Sequence, residues 1–355
     1  MNSKLQWLRN KMSSLDMQGI IISNPINIKY LTNIDAEGTL IITPKENIYI
    51  TDGRYIEHVH SILTLFDEII VYDVNDVSKD DYENFFMFCE NVGFEEHYIS
   101  YATYKEYIRK YKINNFVETE YIIEKQRMIK DEEELSNIIK ACNITDECFK
   151  YILSYIKPGM TEKQIAKEIE DYYQERTEGL SFDTIVASGE NSSKPHAVPT
   201  DRKIQERDII TIDMGCKVNG YCSDMTRTFY CKSVDDEQAA IHDLVRTAVE
   251  KAEAVIKPGM RFCDIDAQAR DLIDEAGYSE YWRIRLGHFI GQEDHEYGDV
   301  SPINKNVAEP GMIFSIEPGI YLEGKYGVRV EDLVLVTEDG HELLNAVDKK
   351  YRIVG

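Results

Sequence analysis

The chain contains no apolar run approaching the roughly 20 residues that cross a bilayer as a helix, and no two of its cysteines form a CxxC pair. The seven cysteines, Cys89, Cys142, Cys148, Cys216, Cys222, Cys231 and Cys263, are odd in number and scattered. That pattern points away from a disulfide framework or a thiolate zinc site and toward buried, reduced thiols. Positive charge is in deficit, with 40 Lys and Arg against 64 Asp and Glu for a formal net charge of -24. Such a chain repels phosphate backbones and anionic membranes, so neither nucleic acid nor a membrane is the expected partner. The first residues, MNSKLQWLRNKMSSLDMQ, are amphipathic and lack the apolar core of a secretion signal, which makes the cytoplasm the expected location.

The chain is 355 residues long and 43% hydrophobic, sufficient for two cores. In the N-terminal part KLQWLRNKMSSL has helical spacing, whereas GIIIS, GTLIIT and NIYITD read as strands. This predicts a small α/β domain. The charged stretch YIIEKQRMIKDEEEL is expected to open a helix that continues through SNIIKACNITDECFKYILSYI. The domain boundary is expected near Glu124, giving domains 1–123 and 124–355.

The second part repeats itself. IKPGM occurs at Ile156–Met160 and again at Ile256–Met260, each time ahead of a helical pattern. Thr161 and Gln164 form a possible capping box before Ile165, Ile169, Tyr172 and Tyr173, and Ile265, Ala269, Leu272 and Ile273 take the matching places in the second copy. IITIDMG at Ile209–Gly215 is then answered by IFSIEPG at Ile313–Gly319, in the same order and at nearly the same offset. A duplicated helix-plus-strand unit with a pseudo-twofold axis follows.

Each repeat ends its strand on a carboxylate. In IITIDMGCKVNGYCSDMTRTF, Asn219-Gly220 is a type I′ hairpin signal, which places Val218 opposite Tyr221, Gly215 opposite Asp224 and Asp213 opposite Thr226. Asp213 and Asp224 then share one face. In IFSIEPGIYLEGKYGVRVEDLVLV a turn near Gly324 places Glu317 opposite Glu331. Four converging carboxylates repel unless cations answer them. Two metal ions sharing carboxylate ligands and straddling a hydroxide satisfy such a set, and calcium is the alternative where all donors are oxygen. RLGHFIGQEDHEYGDVS adds His288 and His295 in a glycine-rich context, and imidazole shifts the preference toward manganese, cobalt, iron or zinc. His196, in NSSKPHAVPTDR, stands in an exposed loop able to face a cleft.

Together DMGCKVNGYCSDMTRTF, GHFIGQEDHE, IEPGIY and VRVED resemble the metal-binding segments of the methionine aminopeptidase, prolidase and aminopeptidase P family, whose catalytic domain has the pita-bread fold. ISNPINIKYLTNI and YITDGRYIEHV resemble the N-terminal domain of the prolidase and aminopeptidase P branch, so the resemblance covers nearly the whole chain. It implies an α/β (α+β) fold, with a small creatinase/prolidase-like domain ahead of a pseudo-twofold catalytic domain. By this resemblance Asp213 chelates one metal, Asp224 and Glu331 bridge both, and His288 and Glu317 hold the second. Glu317 also assists the bridging hydroxide as general base, and His196 and His295 orient the scissile carbonyl and stabilise the tetrahedral intermediate. Arg329 resembles the arginine of that branch's site, which orders the bridging carboxylates or the substrate. The implied cofactors are two divalent ions, manganese first, with cobalt, zinc or iron open. The implied partners are a small peptide and a second copy in a homodimer whose N-terminal domain caps the partner's cleft.

Two positions depart from the family pattern. Ile284, in RIRLGH, replaces a histidine that lines the substrate pocket, and Phe289 replaces a frequent glycine after the histidine ligand. The resulting expectation is a dinuclear exopeptidase that releases an N-terminal residue preceding proline, as dipeptidase or aminopeptidase. Its rivals are a broader aminopeptidase, a non-peptide C–N hydrolase of creatinase type and a non-catalytic binding protein. Creatinases have lost metal ligands that this chain keeps.

Overall fold

In the computed structural model, which describes residues 3–63, 68–282 and 284–355, the chain divides into two units, Met1–Arg127 and Met128–Gly355. The first is built on a mixed sheet of β1 (Gly19–Ile22), β2 (Gly38–Ile42), β3 (Asn47–Thr51), β4 (Ile69–Asp73), β5 (Asn91–Phe94) and β6 (Asn115–Glu118), in the order β4-β3-β2-β1-β5-β6. Its helices are α1 (Ser3–Ser14), α2 (Pro25–Thr32), α3 (Ile56–Ile62), α4 (Lys79–Asn84), α5 (Tyr101–Tyr111) and α6 (Ile122–Arg127). The unbroken isoleucines of β1 follow from its position inside the sheet: Ile20 and Ile22 join one apolar cluster, and Ile21 joins another on the opposite face. Glu95, just past β5, is buried and accepts hydrogen bonds from the Ser23 and Asn24 backbone N–H groups (2.6 and 2.8 Å) and from Asn27 Nδ2 (2.7 Å). Burial nonetheless pushes its carboxyl up to about 7.

The helix expected to run unbroken from YIIEK is interrupted. Asp131 caps α7 (Glu132–Tyr155) through a reciprocal box with Glu134, and the Lys130 N–H leaves the helical path to donate to the Gly311 carbonyl (2.9 Å). Three glutamates, Glu132, Glu133 and Glu134, then sit at the positive end of the helix.

The second unit consists of two similarly connected halves. The first runs α7, α8 (Glu162–Gln174), β7 (Ile185–Ser188), β8 (Ile209–Met214), the short hairpin β9 (Lys217–Val218) and β10 (Tyr221–Cys222), then β11 (Met225–Cys231). The second runs α9 (Asp236–Glu253), α10 (Phe262–Glu275), β12 (Gly287–Phe289), β13 (Glu296–Val300), β14 (Ile313–Ile316), the hairpin β15 (Gly319–Leu322) and β16 (Tyr326–Arg329), then β17 (Asp332–Val336). β18 (His341–Leu343) extends the second sheet, and β19 (Ile353–Val354) adds to the first. In the first half β8 pairs antiparallel with β7 and β11, and in the second β14 pairs antiparallel with β12 and β17. The IKPGM copies match in detail: Gly159 N–H donates to Ile204 O and Gly259 N–H to Ala308 O, each at 2.8 Å, and Thr161↔Lys203 and Arg261↔Val307 form equivalent bridges. The capping box of Thr161 with Gln164 is formed, and Ile265, Ala269 and Ile273 are buried on α10.

Candidate active site

The two hairpins set the site. Asn219 and Gly220 both have positive φ, +50° and +80°, as a type I′ turn requires. Val218 pairs with Tyr221 and Asp213 with Thr226, the register read from the sequence. In the second half Gly324 has φ +71°, Gly319 pairs with Arg329 and Ile316 with Asp332, so Glu317 and Glu331 lie opposite one another. Asp213 sits near the end of β8 and Asp224 just before β11. Their counterparts, Glu317 just after β14 and Glu331 just before β17, occupy matching places.

Asp224, His288 and Glu331 are buried, and their ligand atoms all lie within 4.8 Å of one another. His288 Nε2 stands 3.4 Å from Asp224 Oδ2 and 3.3 Å from Glu317 Oε1. His288 Nδ1 faces the Phe289 carbonyl at 3.2 Å, an atom that can only accept, so the proton sits on Nδ1 and the Nε2 lone pair is directed to the carboxylates. Asp213 lines the same cavity and is held by Arg329 Nη2 at 2.6 Å. Burial followed by repulsion from neighbouring carboxylates holds Asp224 and Glu331 well above the usual carboxylate range. Burial, partly opposed by Arg329, pushes Glu317 up to about 6. Burial, reinforced by the Arg285 charge, lowers His288 to about 4.

Three buried carboxylate oxygens, Asp213 Oδ1, Asp224 Oδ1 and Glu331 Oε1, have no hydrogen-bond donor. Acids buried together with unanswered oxygens, beside a neutral imidazole lone pair, fit divalent cations.

Around these carboxylates lies a cavity of about 610 Å³, which His196, His295, Glu317 and Arg329 all line, together with Ile284. His196 is open to solvent, His295 is partly so, and the His295 and His288 rings lie 4.1 Å apart between centroids. Burial, then the proximity of His288 and Arg285, lowers the His295 pKa. Phe289 turns away into the core, with its ring 5.4 Å from that of Phe262 and 5.5 Å from that of Phe314. Its bulk therefore stays out of the site.

Sequence reading gave no role to several residues found here. Thr226 Oγ1 donates to Glu331 Oε2 (2.6 Å) and accepts from Arg329 Nε (2.9 Å). The hairpin register had already placed it opposite Asp213, so its signal was present. Tyr321 Oη accepts from Arg329 Nη1 (2.7 Å) and lies within the quoted IEPGIY. Arg285, Asp183 and Asp294 also line the cavity, and no local pattern distinguishes them.

Comparison with known proteins agrees with this geometry. Residues 136–338 match metallopeptidase family M24, and residues 4–129 match the creatinase/prolidase N-terminal domain. An uncharacterized peptidase of Bacillus subtilis, YqhT, is 36% identical over 355 residues, covering 99% of this chain and 100% of that protein. The Xaa-Pro dipeptidase from Bacillus anthracis superposes with a TM-score of 0.93 at 33% identity, covering 99% of each chain. The prolidase from Pyrococcus horikoshii OT3 gives 0.90 at 31% identity, covering 98% of this chain and 99% of its own. An X-Pro aminopeptidase from Thermotoga maritima gives 0.88 at 30%, covering 97% and 100% respectively. With its acidic pocket and paired hairpins preceded by a creatinase/prolidase N-terminal domain, the chain belongs to metallopeptidase family M24.

Proposed function

We propose that this chain is a dinuclear metal-dependent exopeptidase that hydrolyses the bond after an N-terminal residue, with proline as the residue that follows. The observation carrying this reading is the convergence of Asp224, His288 and Glu331 within 4.8 Å, accompanied by buried carboxylate oxygens that no donor satisfies. Likeness at about one-third identity to an Xaa-Pro dipeptidase, a prolidase and an X-Pro aminopeptidase supports the same reaction class.

Asp213, Asp224, His288, Glu317 and Glu331 would hold the ions, with manganese suited to this oxygen-rich set and cobalt, iron and zinc as alternatives. When bound, the ions supply Lewis acidity and a hydroxide nucleophile at neutral pH. Glu317 takes a proton from the attacking water at its carboxylate and passes it to the proline nitrogen as the C–N bond breaks. His196 and His295, which line the cavity, orient the scissile carbonyl and steady its oxygen as negative charge develops there. Ile185, Pro195, Val198 and Ile284 give the cavity an apolar wall. A prolyl bond has no N–H, and an apolar wall demands none.

The test is hydrolysis by manganese-reconstituted protein of an Xaa-Pro dipeptide, an Xaa-Pro-Yaa tripeptide and an Xaa-Ala control, with Asp224→Asn alongside. Proline-dependent cleavage is expected, and the variant should lose more than about 100-fold in kcat/KM. Equal cleavage of Xaa-Ala would establish a broader aminopeptidase, an outcome that isoleucine rather than histidine at Ile284 favours as the second reading. Bound metal without cleavage of any peptide would sink the peptidase reading in favour of a non-peptide C–N substrate.

A further inference from the structure

We propose that Arg285 is the carboxylate receptor of the cavity, and that the chain is therefore a dipeptidase whose substrate places its free C-terminal carboxylate on that guanidinium. The inference rests on the peptide reading above and adds the class of peptide.

Two arginines line the cavity, and their situations differ. Arg329 has every nitrogen engaged by the protein: Nε on Thr226 Oγ1 (2.9 Å), Nη1 on Tyr321 Oη (2.7 Å) and the Pro195 carbonyl (3.0 Å), and Nη2 on Asp213 (2.6 Å). Four of its five N–H donors are thereby taken, which leaves one on Nη2 and no free fork for a carboxylate. Arg285 is half-buried and, among the described residues, makes no hydrogen bond or ion pair. A half-buried guanidinium presents five donors in a planar fork that matches a carboxylate. Without a partner, those donors await a ligand.

The backbone on either side is fixed, so the fork has a defined origin. The Ile284 carbonyl accepts from Arg270 Nη2 (3.2 Å), Leu286 N–H donates to the Val300 carbonyl (2.9 Å), and the Leu286 carbonyl accepts from Glu317 N–H (2.8 Å).

The remaining charges narrow the choice of ligand. Asp183 and Asp294, the other acids of the cavity, would repel an anion. Among the described residues that line the cavity, Arg285 is thus the one cation with a whole fork free for a substrate carboxylate. Ile284 adjoins it in the chain and also lines the cavity. An apolar surface next to an unpaired guanidinium matches a C-terminal proline, which is a ring bearing a carboxylate. A proline inside a longer peptide offers a neutral carbonyl at that point and forfeits the charge-assisted contact.

The test compares Ala-Pro, its C-terminal amide and Ala-Pro-Ala as substrates for manganese-loaded wild type, Arg285→Met and Arg285→Lys. Calorimetric binding of L-proline and L-prolinamide to each protein is measured alongside. Wild type is expected to prefer the free acid over the amide by about 100-fold in kcat/KM, and Arg285→Met to bring that ratio near one, with Arg285→Lys between them. The binding arm should show the same loss of acid selectivity. Equal use of acid and amide by wild type would overturn the proposal, as would an unchanged ratio in folded Arg285→Met. If wild type cleaves none of the peptides, the reaction reading falls and the binding arm alone decides. Proline held more tightly than prolinamide, with the difference lost in Arg285→Met, would still uphold the receptor, and no difference would refute it.

Discussion

Arg329, at the end of β16, and Asp332, at the start of β17, show how neighbouring charges acquire opposite tasks. Side chains alternate along a strand, so Glu331 faces the acidic centre while Asp332 faces the other way. There Asp332 meets Arg227 Nη2 (2.5 Å) and Lys349 Nζ (2.5 Å), while Arg227 also donates to the Glu331 carbonyl. Arg329 returns to the site side. Burial alone would lower its pKa, but Tyr321 and the carboxylates of Asp213, Glu317 and Glu331 outweigh that and keep it charged. Its bond to the Pro195 carbonyl also fixes the residue before His196. A lysine has one nitrogen and cannot make these contacts together. Arg329→Lys should therefore weaken manganese binding or turnover about 10–100-fold, as loss of an outer partner of a metal ligand does. Calorimetric manganese titration and kcat/KM on an Xaa-Pro substrate check this, and unchanged values in both would remove Arg329 from the positioning role.

The hairpins are the elements that bring distant carboxylates together, and each half depends on a glycine where two strands nearly touch. A Cβ on Gly215 would lie 1.9 Å from the Ser223 carbonyl oxygen, and one on Gly287 would lie 1.8 Å from that of Ser315. Backbone cannot yield as a flexible side chain does. Gly215→Ala and Gly287→Ala should each destabilise the protein by about 3 kcal/mol and spread the ligands. Urea melts with manganese titrations test this, and a native-like melt with full metal affinity would contradict it. These elements were legible because their determinants are local. Asn219-Gly220 fixes the turn and therefore every facing pair back to Asp213 with Thr226, and Gly324 does the same for Glu317 with Glu331. The interruption ahead of α7 was not legible, because the Lys130 N–H that ends the run bonds to Gly311, far along the chain. The free fork of Arg285 was hidden for a related reason: an unpaired donor is recognised only when everything around it is known.

Across the molecule, the two units have separate apolar cores and carry different buried carboxyl groups, so two perturbations should act on different parts of one chain. In Met128–Gly355 the acidic set needs cations. Because cations bind the folded site and not the unfolded chain, chelation should withdraw stability there by mass action. In Met1–Arg127 the corresponding group is Glu95, whose carboxyl is raised to about 7 from an ordinary 4.5 by burial, partly offset by its three donors. The folded form therefore holds a proton that the unfolded chain releases more readily. The stability tied to that proton is complete below about 4.5 and is lost as pH rises through about 7. Hydrogen exchange followed by mass spectrometry, with and without chelator at pH 5.5 and pH 8, separates the two effects. Chelator should loosen the amides of Ile209–Met214 and Ile313–Ile316 that lead into the ligands. Raising the pH, after correction for intrinsic exchange, should loosen those of Ser23 and Asn24 on Glu95 and leave them indifferent to chelator. Were chelation to leave the segments near Asp213 and Glu317 as protected as before, the acids would have to be stable without cations, and the metal centre would lose its physical basis.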